Sequence, residues 1–336
     1  MRAMTFGVVA AALLLAGPAL AQDAAEWERV TQAAKREGKV VVYNSAIGSP
    51  FYKAAVEGFE KKHGIRVETL DVRASEMRER IRTEQAAGRY IGDITQPGEA
   101  TSKNQERDGV FQPHGGVPNT RSLRREFPAD GMRIPTFVQA YGVLINTNLV
   151  KPADEPKSWK DLLDPKWKGK ILSDDPRAIG GAAVMFFATH DALGKEFNER
   201  LATQGLTFSR DLRNDERRVA RGEFPIYIPE IFAFSLDLKG LPVRLLLPSE
   251  GSPYVAIVSV MLKNAPHPNA ARLLMNHFLE MEVQLLYSNG GQVPVINGAV
   301  EATNADLRHL AGAKLMGTTT AERQNEMLEL AKQVYK

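Results

Sequence analysis

The chain has 336 residues, 43% of them hydrophobic, with 43 Lys and Arg against 40 Asp and Glu for a net charge of +3. That length carries a large core and about two domains. Acids and bases are mixed throughout, which argues against a nucleic-acid tail, and pairs such as Arg124-Arg125 and Arg217-Arg218 read as solvated helix faces.

Residues 1–21 begin with Arg2, continue through the apolar run "GVVAAALLLAG" and end on Ala19-Leu20-Ala21. A positive start, a short apolar core and a small-x-small end define a secretory signal peptide, with cleavage expected after Ala21. No later segment reaches the ~18 apolar residues that a spanning helix needs. Cysteine is absent. The exported chain therefore has no disulfides, no thiolate metal ligands and no acylation cysteine, and is expected free in a periplasm.

In chain order, "AEWERVTQAAKREGKVVVYNSA" predicts a helix, a glycine stop and a buried strand. "PFYKAAVEGFEKKHGIRVETLDV" repeats the pattern, with Gly64 just past the helix end. "SEMRERIRTEQAAG" predicts a third helix with Ser75 as N-cap, followed by the strand "GDITQP". Helices alternating with strands predict a mainly parallel sheet with helices on both faces. Residues 111–135, rich in Pro, Gly and Arg, interrupt the alternation. After them come the apolar "TFVQAYGVLINTNLV", a second α/β set, and a second apolar stretch, "YVAIVSVMLKNAP". One long amphipathic helix is expected over "NAARLLMNHFLEMEVQLLYSNGG". Two α/β lobes joined by long extended segments define a hinged fold with its ligand between the lobes. The expected division is 22–138 with 258–305 as one lobe and 139–257 as the other. Residues 306–336 form a helical segment packing on the second lobe.

Six segments in order carry a resemblance: "GKVVVYNSA", "FEKKHGIRVE", "YGVLINTNLV", "SWKDLLDPKWKGKI", "ARGEFPIYI" and "NAARLLMNHFLEMEVQLLYSNGGQVPV". Together they resemble periplasmic solute-binding proteins of ABC importers, in the type II cluster with ferric-ion, thiamine, phosphonate and sugar-phosphate binders. The resemblance implies a two-lobe α/β fold, each lobe a mainly parallel sheet flanked by helices, joined by a hinge. It also implies a membrane permease as partner and a monomeric receptor without a cofactor. In the ferric-ion members an adjacent tyrosine pair holds the metal, helped by a histidine and an acid. Here the pair's place is taken by Glu230, Ile231 and Phe232, the histidine's falls near Ile47, and the acid's near Gly98, with Glu99 one residue away. Ferric iron needs several oxygen ligands, so direct binding of the bare ion is not expected.

The family's anion-binding turn corresponds to "RAIGGAA". A helix N-terminus exposes unpaired N–H groups and about half a positive charge, glycines admit an anion to the backbone, and an arginine adds a bidentate clamp. Arg177, Gly180 and Gly181 are therefore expected to cradle an anion; alternatively the glycines ease helix packing and Arg177 is a surface residue. Ser45 follows the first strand and Arg73 the second, while Thr95 and Gln96 end the third. Each could meet a ligand or simply build a turn. Tyr141 lies where the chain crosses between lobes, and Tyr227 and Glu230 occupy the loop that carries ligands in relatives. No P-loop, H-E-x-x-H or G-x-S-x-G motif is present, and the six histidines show no metal spacing. The expected function is capture of a small organic anion (carboxylate, phosphonate or phosphate ester) for import. Chelated ferric iron is the alternative cargo, and docking on a membrane sensor kinase or an enzyme of anionic substrates are alternative roles.

Overall fold

The computed structural model describes residues 18–336 apart from Ile47 and Arg73, and side chains from residue 24 onward except those of 74 and 75. The first 17 residues, which hold most of the expected signal peptide, lie outside the described residues. So do Arg73 and the Ile47 position.

The chain opens with α1 (Pro18–Glu37), β1 (Lys39–Asn44), α2 (Pro50–His63), β2 (Arg66–Asp71), α3 (Ala74–Ala86), β3 (Ile94–Gln96) and α4 (Glu99–Glu106). Gly64 ends α2 in the left-handed region, at φ 68° and ψ 23°, and its N–H returns to the Glu60 carbonyl. That conformation needs glycine. The third helix starts one residue before Ser75, so Ser75 lies inside it rather than capping it.

A long strand, β4 (Arg133–Asn146), then leads to β5 (Ile171–Asp174), α5 (Gly181–Leu193), α6 (Lys195–Ala202), β6 (Thr207–Ser209), α7 (Leu212–Ala220), β7 (Ile226–Ile231), α8 (Phe232–Leu236) and β8 (Val243–Leu246). The return strand β9 (Ser252–Met261) is followed by α9 (Pro268–His277), α10 (Met281–Asn289), α11 (Ala299–Ala302), α12 (Arg308–Ala311), β10 (Leu315–Gly317) and α13 (Gln324–Val334). The long helix expected over 269–291 is in fact two. Glu280 is extended (φ −71°, ψ 146°) and caps α10, while its carboxylate is drawn to His277 and Lys62.

The strand order is β2-β1-β3-β9-β4-β7-β5-β6. Parallel pairs stand at both ends, β2-β1-β3 and β7-β5-β6, so each half keeps the β-α alternation visible in the sequence. The antiparallel strands β4 and β9 join the halves. From Arg133 to Ala140, β4 pairs with β9; from Tyr141 to Asn146 it pairs with β7 and β8. The chain thus passes from one half to the other within a single strand.

Each half has its own core. Phe59, Phe137, Phe278 and Tyr287 lie in the larger one, and Trp159, Leu162, Ile171 and Ile226 in the other. Trp159 is fully buried, and its indole N–H donates to the Gly251 carbonyl at 2.9 Å. From the C-terminal helix, Met327, Ala331 and Tyr335 pack with Phe186 and Phe187 of α5.

Candidate functional site

A cavity of about 420 Å³ lies between the two halves. One side is built from the turn after β1 (Ser45, Ala46, Ser49), Phe51 of α2, and Gly98, Ala100 and Thr101 at the start of α4. Gln139 and Tyr141 on β4, with Val255 and Ile257 on β9, form the floor. The opposite side comes from Asp174 at the end of β5, the first turns of α5, residues 210–213 leading into α7, and Pro229 and Ile231 of β7. Thr319, Gln324, Met327 and Leu328 of the C-terminal segment close it. Strand C-termini and helix N-termini thus converge here, as in open α/β folds generally.

The start of α5 explains "RAIGG" differently from the sequence. The Asp174 side chain, 5% exposed, accepts the Ala182 N–H through Oδ2 at 3.0 Å. The helix end therefore already holds an anionic group of its own, leaving the Gly181 and Ala183 N–H groups without a protein acceptor among the described residues. Burial raises the Asp174 carboxyl above its ordinary range, opposed by the N–H groups of Ala182 and Asp175 and by Arg210. Gly181 is required by packing. A Cβ there would stand 2.8 Å from Tyr141 Cε1 and 3.5 Å from Pro229 Cγ.

Arg177 does not line the cavity. Its Nε and Nη2 donate to the two carboxylate oxygens of Asp175 at 2.8 and 2.9 Å, and its guanidinium lies over the Phe208 ring. Proximity in sequence favours the acid two residues away over a ligand in the cleft. The arginines on the wall are Arg210 and Arg213. Arg210 donates to the Ile179 carbonyl at 3.4 Å and acts on Asp174 and Asp175. Arg213 is fixed by Asp237 at 2.8 Å and stacks 3.5 Å above the Phe234 ring. The sequence signal was available: "SRDLR" follows a strand and opens a helix.

Other expected residues divide in the same way. Ser45, Tyr141, Gly180 and Gly181 line the cavity. Ser45 Oγ donates to the Gln96 carbonyl at 2.7 Å, and Tyr141 Oη accepts from Gln139 at 2.8 Å. Thr95 and Gln96 are fully buried behind the wall, donating to Met77 Sδ and Ser259 Oγ. Tyr227 and Glu230 are buried too, at 2% and 1% exposure. Every residue of β7 is buried, and its pairing with β4 shifts register between Glu230 (opposite Gly142) and Tyr227 (opposite Leu144); Tyr227 joins the core with Leu144 and Leu172. Burial and the neighbouring Glu216 hold the Glu230 carboxyl well above the carboxylate range, while Glu216 is itself pushed up to about 7, chiefly by burial.

A two-lobed α/β fold with a closed-in cavity between crossing strands is that of a solute-binding receptor. Residues 99–319 match the family model described as bacterial extracellular solute-binding protein, and the chain belongs to that family. Its members are the receptors of ABC importers, binding proteins rather than enzymes. An uncharacterised Haemophilus influenzae protein is 28% identical over 42% of this chain, and the match spans 42% of that protein's own length. "Iron uptake protein A2" of Synechocystis is 27% identical over 69% of this chain and 72% of its own. A Trichodesmium structure with iron and citrate ligands superposes with a TM-score of 0.72 at 19% identity, covering 89% of this chain and all of that one. A fructose-6-phosphate-bound binding protein of Actinobacillus pleuropneumoniae gives 0.71 at 17% identity, over 89% and 98% of the two chains. At such identity the likeness is one of fold. No helix of the described residues is long and apolar enough to cross a membrane.

Proposed function

We propose that this receptor captures a small organic anion (a carboxylate, phosphonate or phosphate ester) between its lobes and delivers it to a membrane permease. The observation that carries the reading is the cavity itself. Both halves wall it, Arg210 and Arg213 stand on one side, and the free N–H groups of the α5 first turn stand close by. Phe51, Val184, Phe187 and Ile257 make much of the remaining wall apolar, which favours an anion with a hydrocarbon body over bare phosphate. The switch of β4 partners after Ala140 supports a hinge there, with 22–138 and 258–305 as one lobe and 139–257 as the other. Packing of α13 against α5 supports assigning 306–336 to the second lobe. The receptor works as a monomer in the periplasm, after cleavage following Ala21. Only the closed form touches the ligand from both sides, so binding shifts an open–closed equilibrium.

Chelated ferric iron is the second reading, favoured by the iron-related names and ligands of the similar proteins. Direct binding of the bare ion is not supported, because Tyr141 is the one tyrosine among the described lining residues and its hydroxyl is engaged by Gln139. In this reading the chelator's carboxylates meet the arginines. Calorimetry with citrate, a phosphonate and a phosphate ester, each with and without ferric ion, separates the two. An anion that binds without iron and reduces the radius of gyration in solution scattering supports the first reading. Binding only in the presence of iron replaces it with the second.

A further inference from the structure

Away from the cavity, three electron-pair donors converge where α2, α9 and α10 meet. His63 is the last residue of α2, His277 the last of α9, and Glu280 the residue that caps α10. One ligand atom from each lies within 4.8 Å of the other two. None of the three lines the cavity.

Their hydrogen bonds define which atoms are available. His277 Nε2 sits 3.1 Å from the Ala55 carbonyl, which can only accept, so the Nε2 proton points there. In the neutral ring Nδ1 is then a lone pair, and it faces Glu280 Oε2 at 2.9 Å. Two acceptors at that distance need a cation between them, a proton or a metal. His63 Nε2 is buried and has no hydrogen-bond partner, although its ring lies 6.2 Å from that of His277. Phe59 walls the rings on one side, 4.9 Å from His63 and 5.4 Å from His277. Lys62 Nζ also reaches both Glu280 oxygens, at 2.7 and 2.8 Å, but its side chain is 50% exposed. Such an exposed ion pair contributes little and can open to water.

We propose that His63 Nε2, His277 Nδ1 and the Glu280 carboxylate form a binding site for a zinc-class divalent transition metal on the outside of the first lobe. Two imidazoles and a carboxylate suit zinc, nickel or copper, with water as a fourth ligand. The Ala55 carbonyl already fixes the His277 tautomer, as an outer partner does in established zinc sites. Ligand atoms around tetrahedral zinc lie about 3.4 Å apart, given bonds of ~2.1 Å. The three groups, now within 4.8 Å of one another, therefore need to close by about 1.4 Å at most, within reach of side-chain rotation at the element ends that carry them. The metal would tie the end of α2 to the α9–α10 break, so the break in that helix has a ligand-binding use.

The test is zinc titration of untagged, metal-free protein by calorimetry, with cobalt absorption as a second readout. The expected result is one zinc per chain, with d–d bands of tetrahedral cobalt. His63→Gln should weaken binding by about tenfold or more, since losing even an outer partner of a zinc ligand costs that much. Because His63 Nε2 has no partner in the protein, this variant should keep the metal-free melting temperature of wild type. Glu280→Gln should weaken binding similarly; if it also harms folding, His63→Gln alone carries the test. His190→Gln, on α5, should bind zinc as wild type does. The proposal is overturned if wild type takes up no zinc at 100-fold molar excess, or if His63→Gln binds it as tightly as wild type.

Discussion

Asp174 Oδ2 accepts the backbone N–H of Ala182 at 3.0 Å, so the helix end facing the cavity is capped by a buried acid from the strand before it. An anionic solute arriving there meets free N–H groups and a like charge together. Asp174→Asn keeps an acceptor for Ala182 and removes the charge. For an assumed separation of ~6 Å and an effective dielectric of ~20, full ionisation of Asp174 gives a repulsion of about 3 kcal/mol, an upper figure because Arg210 offsets part of it. Calorimetry should show anion binding tightened roughly 5- to 100-fold. Asp174→Ala loses the cap as well, at a cost of about 1 kcal/mol. Weaker binding in the Asn variant would mean that Asp174 accepts a hydrogen bond from the solute.

The two arginine positions give a contrast. Arg213→Ala removes a guanidinium held over Phe234 on the cavity wall, and should raise the dissociation constant about 10- to 150-fold, the range for a charge-assisted hydrogen bond. Arg177→Ala should leave affinity unchanged, because Asp175 occupies its guanidinium. The reverse pattern would return the anion site to the "RAIGG" turn.

Glu216 and Glu230 set a pH dependence of stability. Both folded-state carboxyls are raised against the influence of Arg213: Glu216 to about 7, chiefly by burial with help from Asp237, and Glu230 well above the carboxylate range by burial and by Glu216. The folded protein therefore holds more protons than the unfolded chain between the ordinary carboxylate range and pH 7. Their contribution is complete below that range, and the part due to Glu216 is lost as pH rises through about 7. Glu216→Gln should flatten this decline and raise the melting temperature at pH 8 by about 2–4 °C per kcal/mol recovered. An unchanged pH profile would show that the pair does not titrate in this window.

Trp159→Ala should destabilise the protein by about 3–5 kcal/mol, through a cavity in the smaller core and loss of the bond to Gly251. Denaturant unfolding measures this. A cost under 1 kcal/mol would mean that the lobe collapses around the gap.

Periodicity and glycine stops were enough to read the alternation of helices and strands through β3, because each signal is local. Gly64 is an example: its left-handed turn follows from the residue type alone. The break at Glu280 was not legible, because its cause includes Lys62, more than 200 residues away. Site residues followed the same division. Ser45 and Gly181 reach the cavity from the ends of elements the sequence had placed. Tyr227 and Glu230 point inward because of strand register against β4 and β5, which composition does not reveal. Arg177 turns away from the cavity because Asp175, two residues before it, takes its Nε and Nη2 donors, a pairing set by side-chain geometry that the residue order alone leaves open.

The central claim is that the cavity between the lobes holds an organic anion. Native mass spectrometry of protein released from the periplasm without denaturation, followed by mass analysis of what denaturation sets free, tests it most directly. One small anion per chain is expected, depleted in Arg213→Ala and retained in Arg177→Ala. Stoichiometric ferric ion without an organic partner, or a cationic solute, would contradict it.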